Sequence, residues 1–209
     1  MKLKKKIIDA SKYLLQLQFN IGSEGNISCR KKNEIYITPS GIKTSNLKQN
    51  DISKVDLDGK ILNKKKPSSE ILLHSWIYRN HKDIGAVVHS HSKWASILSC
   101  MRINIPAFHY MVAEFGGSDV KCSKYATFGS EQLSKYVNKV LHNRKGCLIA
   151  NHGQVTFADT LEEAIDLSIA LEKLSEQYYF LIISRKAKLL SDKEMCKIVK
   201  LFKDYKVKH

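Results

Sequence analysis

The spacing of apolar and polar residues along the chain predicts helices that alternate with short strands. Apolar residues at helical spacing predict a first helix over residues 3–20, which Gly22 would end. Alternating apolar and polar residues then predict a hairpin of strands 27–30 and 34–38, followed by a third strand over residues 52–57. The first part of the chain therefore combines one helix with a small antiparallel sheet.

The rest of the chain shows the same alternation. Predicted strands cover residues 84–88, 147–150 and 155–158, and predicted helices cover residues 68–80, 92–99 and 129–143, with two more beginning at Thr160 and Ser191. No internal repeat or linker separates these elements. We therefore expect a single domain over residues 1–209, with the three-layer α/β/α arrangement in which helices cover both faces of a mostly antiparallel sheet.

Length and cysteine usage narrow the class of protein. A chain of 209 residues suffices for one domain with a full core. We expect it to be soluble, because its lysine-rich beginning leads into an amphipathic pattern and no run of eighteen uncharged apolar residues occurs. The five cysteines are widely separated and contain no Cys-x-x-Cys pair, which is typical of reduced thiols in a cytoplasm.

The net charge points to an anionic ligand without identifying it. Lysine and arginine outnumber aspartate and glutamate by 35 to 20, so the formal charge is +15. A nucleic acid, an acidic membrane and a phosphorylated metabolite would all be attracted by this charge. Because the lysines are scattered and no nucleic-acid motif accompanies them, the sequence predicts neither a nucleic-acid nor a membrane partner.

Three histidines at predicted strand ends are candidate metal ligands. His89 and His91 close the strand over residues 84–88, and residues two apart in a strand project to the same face. His152 ends a second strand, before Gly153, which permits close backbone approach. Glu70 is expected in the first turn of the helix that precedes the His89 strand. Three imidazoles and one carboxylate form a ligand set that suits Zn²⁺.

The other histidines are weaker candidates. His74 competes for a ligand role because it lies four residues after Glu70 on the same helical face, although a buried or supporting position is the simpler interpretation. The charged neighbourhoods of His81, His142 and His209 predict surface positions, whereas the sequence leaves His109 undecided.

Three small, polar and glycine-containing segments suit the binding of a phosphate group. They are Gly25-Asn26, Ser40-Gly41 and Ser68-Ser69. Hydroxyl groups, a carboxamide and accessible backbone N–H groups at loops and at a helix N-terminus are the donors that a phosphate dianion requires. Each segment alone is typical of an ordinary turn or helix cap, so their value lies in the combination.

Seven motifs in order resemble the class II aldolase/adducin family over residues 4–205. They are Gly25-Asn26-Ile27-Ser28, Ile37-Thr38-Pro39-Ser40-Gly41, Pro67-Ser68-Ser69-Glu70, Val87-Val88-His89-Ser90-His91, Ile105-Pro106-Ala107-Phe108-His109-Tyr110-Met111, Tyr125-Ala126-Thr127-Phe128-Gly129 and Asn151-His152-Gly153. The resemblance implies a class II aldolase-like fold and a metal-dependent aldolase. It implies the reversible cleavage of a ketose 1-phosphate of the L-fuculose 1-phosphate type to dihydroxyacetone phosphate and lactaldehyde.

The resemblance also implies roles for individual residues. One zinc ion per subunit would be bound by Glu70, His89, His91 and His152, and the substrate phosphate by Asn26, Ser40, Gly41, Ser68 and Ser69. Glu70 would move off zinc and shuttle a proton, and Tyr110 would protonate the aldehyde oxygen. Phe128 and Tyr205 would line the aldehyde pocket. The family is typically a homotetramer with active sites at subunit interfaces, so Tyr110, Phe128 and Tyr205 would act on a neighbour's metal.

Departures from the family pattern leave the aldehyde open. Asn151 stands where the aldolase often has another histidine, and Glu114-Phe115 replaces small residues after Tyr110. A bulky or charged group near the aldehyde pocket would select another substrate, so aldolases for 5-deoxyribulose or methylthioribulose 1-phosphate are alternatives. An L-ribulose-5-phosphate 4-epimerase, a sugar-phosphate dehydratase and a metal-free adducin-like binding module are further alternatives.

Overall fold

The computed structural model of the chain describes residues 2–207, apart from the side chains of residues 203 and 205–207. Its α-helices are α1 (Lys2–Gln16), α2 (Ile71–Asn80), α3 (Lys93–Met101), α4 (Glu131–Val140), α5 (Leu161–Ser184) and α6 (Asp192–Val207). Its strands are β1 (Asn26–Lys31), β2 (Glu34–Ile37), β3 (Ser53–Asp56), β4 (Ala86–Ser90), β5 (Ile105–Pro106), β6 (Asp119–Val120), β7 (Gly146–Ile149) and β8 (Gly153–Ala158). Short 3₁₀ helices cover Thr44–Asn46, Gln49–Asp51 and Tyr110–Phe115. None of the helices in the described residues is long and apolar enough to span a membrane.

Six strands form the central sheet in the order β3-β2-β1-β4-β8-β7, and every neighbouring pair is antiparallel. Strands β5 and β6 form a separate two-stranded sheet. Asn26 of β1 lies opposite His89 of β4, and His89 lies opposite Val155 of β8. The predicted sheet is confirmed. Its register brings polar residues of the neighbouring strands β1 and β4 to the same end of the sheet.

Helices cover both faces of this sheet, which confirms the predicted α/β class. Helices α1, α3 and α5 pack on one face with residues such as Ile27 and Val88, whereas α2 and α4 pack on the other face with residues such as Val87 and Val137. Side chains alternate along β1 and β4, so Ser28 and His89 point towards α2. The sheet therefore separates two cores, and the polar side chains belong to the α2 side.

Two predicted helix ends are wrong by a few residues. Helix α1 ends at Gln16 instead of continuing to residue 20, because Gln18 adopts a left-handed conformation with a φ of 59°. The N–H groups of Gln18 and Phe19 then donate to the carbonyl groups of Leu15 and Leu14, which is the Schellman arrangement. Gly22 therefore plays no part in ending this helix.

The start of α2 also differs from the prediction. Glu70 is the residue before the first turn of α2 instead of a member of that turn. Helix α2 begins at Ile71 instead of at residue 68, and the Ser68 hydroxyl accepts a hydrogen bond from the Glu70 backbone N–H at 3.2 Å. This contact fixes the backbone from which the Glu70 side chain projects.

Candidate active site

Four candidate metal ligands converge at one end of the sheet. Glu70 precedes α2, His89 lies in β4, His91 follows the end of β4, and His152 lies in the turn between β7 and β8. One ligand atom from each of the four side chains lies within 4.8 Å of the other three. The structure therefore brings together all four residues that the sequence singles out for a metal.

Distances within this cluster are those of groups that surround a common point. Glu70 Oε2 lies 3.0 Å from His89 Nε2, and His89 Nε2 lies 3.1 Å from His91 Nε2. Glu70 Oε1 lies 3.6 Å from His152 Nε2. The three imidazole rings meet edge to face, with ring centroids 4.7 to 4.9 Å apart. If a cation were bound between these atoms, each ligand atom would contact the cation instead of the neighbouring ligand atoms.

The backbone around His89 and Gly153 sets this geometry. His89 Nδ1 lies 2.8 Å from the carbonyl oxygen of Gln154 and donates to it, so Nε2 is the ring nitrogen directed at the cluster. A Cβ atom at position 153 would overlap the carbonyl oxygen of Ser90, so only glycine allows β8 to approach β4 this closely. The predicted close approach at Gly153 is present.

Burial and charge put Glu70, His91 and His152 in the forms that bind metals. Burial raises the pKa of Glu70, but the nearby His89 and His152 and the Asn26 amide lower it more, and the net pKa lies well below its usual range. Burial, with the neighbouring His89, lowers the pKa of His91 to about 3 and that of His152 to about 4. An ionised carboxylate and two neutral imidazoles are therefore present at neutral pH, whereas the Glu70 carboxylate outweighs burial and raises the pKa of His89, which would release its proton on binding a metal.

One buried oxygen of the cluster lacks a donor. Glu70 Oε1 makes no hydrogen bond with any residue that the structure describes, although Glu70 is only 5% exposed. A buried carboxylate oxygen without a donor costs free energy unless a cation or another donor binds it. The donor set of one carboxylate and three imidazoles, with an unpaired oxygen facing His152, fits a zinc ion.

A cleft of about 580 Å³ opens beside this cluster. It is lined by Glu70, His91 and His152, by the five residues predicted to bind phosphate, namely Asn26, Ser40, Gly41, Ser68 and Ser69, and by Tyr125 and Phe128. Pairing between Pro39 and Pro67 holds the two serine-containing segments side by side. Hydroxyl groups and a carboxamide thus lie in one cleft with the metal ligands.

Asn26 has a contact that the sequence did not predict. Its Nδ2 donates to Glu70 Oε2 at 3.0 Å, and its Oδ1 lies 2.5 Å from His74 Nε2. Burial, with the neighbouring His89, lowers the pKa of His74 to about 3, so this imidazole is neutral. His74 is therefore a buried neighbour of the cluster and is not among its ligand atoms.

Two of the three residues predicted for the aldehyde side, Tyr110 and Phe128, line different pockets of the chain. Tyr110 is 52% exposed and lines a separate apolar pocket of about 510 Å³ with Met111 and three residues of α6. Phe128 lines the cleft of its own chain, and its contribution to a neighbour's site stays a prediction. The side chain of Tyr205 lies outside the described residues. Within one chain, Tyr110 thus lies apart from the cleft.

The two departures from the family pattern have different surroundings. Phe115 is fully buried in the core on the α5 side of the sheet, so it does not line the cleft of its own chain. Asn151 does line the cleft, and its Oδ1 accepts a hydrogen bond from Arg102 at 2.7 Å. The Arg102 guanidinium stacks over Tyr125, 5.8 Å from the ring centroid. Asn151 is therefore the departure that lines the cleft of its own chain.

Sequence reasoning missed two side chains beside His91. Asn20 Oδ1 accepts a hydrogen bond from the His91 backbone N–H at 3.0 Å, and Glu24 Oε2 lies 3.8 Å from His91 Nδ1. Both residues belong to the loop between α1 and β1, which is distant from His91 along the chain. The proximity of Glu24 to the Gly25-Asn26 motif was the only local signal that this loop contributes to the site.

Comparisons with known proteins identify the family. The family described as Class II Aldolase and Adducin N-terminal domain matches residues 5–179. The chain belongs to this family. A solved structure of an L-fuculose 1-phosphate aldolase superposes on this class II aldolase chain with a TM-score of 0.92 and 33% sequence identity, covering 97% of this chain and 96% of the other.

Curated relatives of similar length carry aldolase names. A 5-methylthioribulose-1-phosphate/5-deoxyribulose-1-phosphate aldolase of Rhodospirillum rubrum is 40% identical over 199 residues, which cover 95% of this chain and 90% of the relative. An L-fuculose phosphate aldolase of Escherichia coli K12 is 38% identical over 205 residues, which cover 98% of this chain and 95% of the relative. Family, fold and full-length relatives together support lyase activity of the class II aldolase type.

Proposed function

We propose that the protein is a zinc-dependent aldolase that reversibly cleaves a ketose 1-phosphate of the L-fuculose 1-phosphate type. The products would be dihydroxyacetone phosphate and a small aldehyde such as lactaldehyde. The observation that carries this proposal is the cluster of Glu70, His89, His91 and His152 beside a cleft lined by hydroxyl and amide groups. A metal-free adducin-like module would have no need of four converging ligands, one with an unpaired buried oxygen.

In this proposal, the four clustered side chains hold one zinc ion per subunit. When bound, zinc would act as a Lewis acid towards the negative charge that develops on the dihydroxyacetone phosphate half. The ligands remain in place because His89 is fixed by Gln154 and His91 by Asn20. No Schiff-base lysine is required.

The phosphate group would occupy the end of the cleft formed by the two serine-containing segments. Ser40, Gly41, Ser68 and Ser69 offer hydroxyl and backbone N–H donors there, and one N–H of Asn26 supplements them. Binding the phosphate at this end orients the carbon chain of the substrate towards Glu70 and the three histidines. Glu70, displaced from the metal by substrate, would then move the proton at the reacting carbon.

The aldehyde half would be completed by a neighbouring subunit of a homotetramer. Tyr110 is exposed on an apolar surface with Leu201 and Phe202, away from the cleft of its own chain. Such a surface suits contact with another subunit, where the Tyr110 hydroxyl would protonate the aldehyde oxygen. Phe128 and Tyr205 would contribute to the same pocket.

A second candidate substrate is 5-deoxyribulose 1-phosphate or its methylthio analogue. The relative named for these two compounds is 40% identical to this chain. Both candidates release dihydroxyacetone phosphate and differ only in the aldehyde, so the metal and phosphate ends of the cleft serve either reaction. The difference would lie at the aldehyde end, where Asn151 and Arg102 are linked.

We also place the protein in the cytoplasm. All five cysteines are free thiols, and two of them, Cys29 and Cys147, are buried. Unpaired thiols of this kind are typical of a reducing compartment.

The proposal is tested by an assay of dihydroxyacetone phosphate release with the zinc-loaded protein. The panel contains L-fuculose 1-phosphate, 5-deoxyribulose 1-phosphate and methylthioribulose 1-phosphate, with L-ribulose 5-phosphate as the control for an epimerase. Release from at least one ketose 1-phosphate, abolished by a chelator and restored by zinc, is the expected result. Zinc-loaded protein that releases no dihydroxyacetone phosphate from any of the three would contradict the proposal.

A further inference from the structure

A line of buried polar side chains runs from the interior of the domain to Glu70. The Tyr78 hydroxyl lies 2.9 Å from Ser28 Oγ, and Ser28 Oγ lies 2.6 Å from His74 Nδ1. His74 Nε2 lies 2.5 Å from Asn26 Oδ1, and Asn26 Nδ2 lies 3.0 Å from Glu70 Oε2. Helix α2 and strand β1 contribute these groups in turn, so the line joins the two elements behind the metal cluster.

The four polar side chains that lead to Glu70 are all buried. Tyr78, Ser28 and His74 are fully inaccessible to solvent, and Asn26 is 6% exposed. Burying an imidazole and a hydroxyl costs free energy that hydrogen bonds only offset, whereas apolar side chains of similar size would avoid that cost. A set of mutually satisfied buried polar groups leading to one carboxylate therefore indicates a role at that carboxylate.

The hydrogen bonds in this line can have only one direction. The ionised Glu70 only accepts, so the Asn26 amide must present its NH₂ group to Glu70 and its oxygen to His74. His74 must then donate from Nε2. Because a neutral imidazole has one N–H, His74 Nδ1 accepts the proton of the Ser28 hydroxyl. Each donor therefore points towards Glu70.

We propose that His74 is a positioning residue that fixes the orientation of the Asn26 amide and, through it, the carboxylate of Glu70. The Nε2–H of His74 favours the rotamer in which the Asn26 NH₂ group faces Glu70, since the reversed amide would place two donors together and two acceptors together. Glu70 Oε2 is thereby tethered, while Oε1 faces His152. The inference rests on the proposed function for its catalytic consequence only.

The hydrogen bond from Asn26 to Glu70 has two consequences for the site. It orients the carboxylate for metal binding, as hydrogen-bonded supporting residues do around other metal ligands. It also keeps Glu70 close to the substrate after the carboxylate leaves the metal, because the bond to Asn26 does not depend on the metal. His74 would therefore affect both zinc affinity and the rate of carbon bond cleavage without touching either reactant.

Two conservative substitutions at position 74 separate positioning from packing. In His74→Gln, the side-chain amide places an N–H close to the position of Nε2 and keeps the donor to Asn26. In His74→Asn, the shorter side chain reaches only the position of Nδ1, so it retains a partner for Ser28 and loses the donor to Asn26. His81→Asn is the matched control, because His81 follows the end of α2 and stacks on Phe157 outside this line.

The first measurement is the zinc dissociation constant, obtained by competition with a chromophoric chelator. We expect His74→Asn to weaken zinc binding about 10- to 100-fold, His74→Gln no more than about threefold, and His81→Asn not at all. Equal weakening by the Gln and Asn variants, or unchanged binding in both, would overturn the proposal. If His74→Asn does not fold, Ser28→Ala takes its place, and unchanged zinc binding in that variant would overturn it.

The second measurement is a double-mutant cycle on kcat in zinc-saturated protein. We expect His74→Asn to lower kcat about tenfold or more with a smaller change in KM, and to have no further effect in the Asn26→Leu variant. Additive losses would show that His74 does not act through Asn26. If the protein cleaves none of the ketose 1-phosphates, the proposed function fails, yet the zinc measurement still decides the role of His74.

Discussion

The two faces of strands β1 and β4 differ completely in chemistry although they share one backbone. Towards α1 and α5, Ile27 and Val88 are buried in an apolar core. Towards α2, Ser28 and His89 are equally buried but make hydrogen bonds or face the ligand cluster. The alternation of side chains along a strand thus lets the same residues support the fold on one face and position chemical groups on the other.

This difference separates stability from function. Burial of an apolar side chain of this size contributes about 1.5 to 3 kcal/mol, whereas buried polar groups contribute little net stability even when all are paired. We therefore expect substitutions on the α5 side to affect unfolding and those on the α2 side to affect zinc and catalysis. The following predictions test this separation from the largest effect to the smallest.

The largest effect is expected for His91→Ala, which removes a ligand at the end of β4. The side chain is partly exposed, so the fold should persist while the metal site loses one of its three imidazoles. We expect loss of stoichiometric zinc, measured by elemental analysis, and a fall in kcat of about 1000-fold or more. A variant that purifies with a full complement of zinc would contradict the assignment of His91.

Tyr110 lies on neither face of strands β1 and β4, so its substitution tests a proposed catalytic group outside those two faces. We expect Tyr110→Phe to retain zinc and to slow carbon bond cleavage about 100-fold, because the proton donor for the aldehyde oxygen is lost. An unchanged cleavage rate would contradict that role.

A mixing experiment shows whether Tyr110 serves its own chain or a neighbour. Coexpressed Tyr110→Phe and His91→Ala subunits should regain about one quarter of the unaltered activity, since some sites then combine an intact metal site with an intact tyrosine. Mixed oligomers without any recovery would show that Tyr110 does not act across an interface.

A smaller effect is expected at the phosphate end of the cleft. Ser40→Ala removes one hydroxyl from the segment paired with residues 66–68. We expect KM for the ketose 1-phosphate to rise about tenfold, with a smaller change in kcat, because the lost hydrogen bond holds a group remote from the reacting carbon. A change confined to kcat would place Ser40 elsewhere in the reaction.

The smallest effect on activity is expected for Val88→Ala, next to His89 but on the opposite face. The change leaves a cavity in the α5-side core and should lower the free energy of unfolding by about 1 to 3 kcal/mol, measured by urea denaturation. Zinc content and kcat should stay within about twofold of the unaltered protein, a difference of less than 0.5 kcal/mol. A loss of zinc comparable to that of His91→Ala would show that the two faces are not separable.

Local sequence patterns account for the histidine pair and for most of the fold. The β-branched residues before His89 predicted a buried strand, and the two-residue period placed His89 and His91 on one side of it. The structure has that strand and brings the two imidazoles together. The pattern succeeds because strand direction and side-chain alternation are local properties.

Contacts between distant segments could not be derived in the same way. Asn26 and His74 are 48 residues apart, and Asn20 and His91 are 71 apart. No periodicity relates such pairs, so the sequence assigns Asn26 only to phosphate binding and does not single out Asn20. The early end of α1 was missed for another reason, because Gln18 adopts a left-handed conformation that glycine more commonly adopts.

The central claim is that Glu70, His89, His91 and His152 bind one divalent cation. Anomalous diffraction from zinc-loaded crystals, recorded on both sides of the zinc absorption edge, tests it most directly. The account predicts one peak per subunit at about 2.0 to 2.2 Å from a Glu70 oxygen and from a nitrogen of each of the three histidines. A peak bound by other residues, or none within reach of these four side chains, would contradict it.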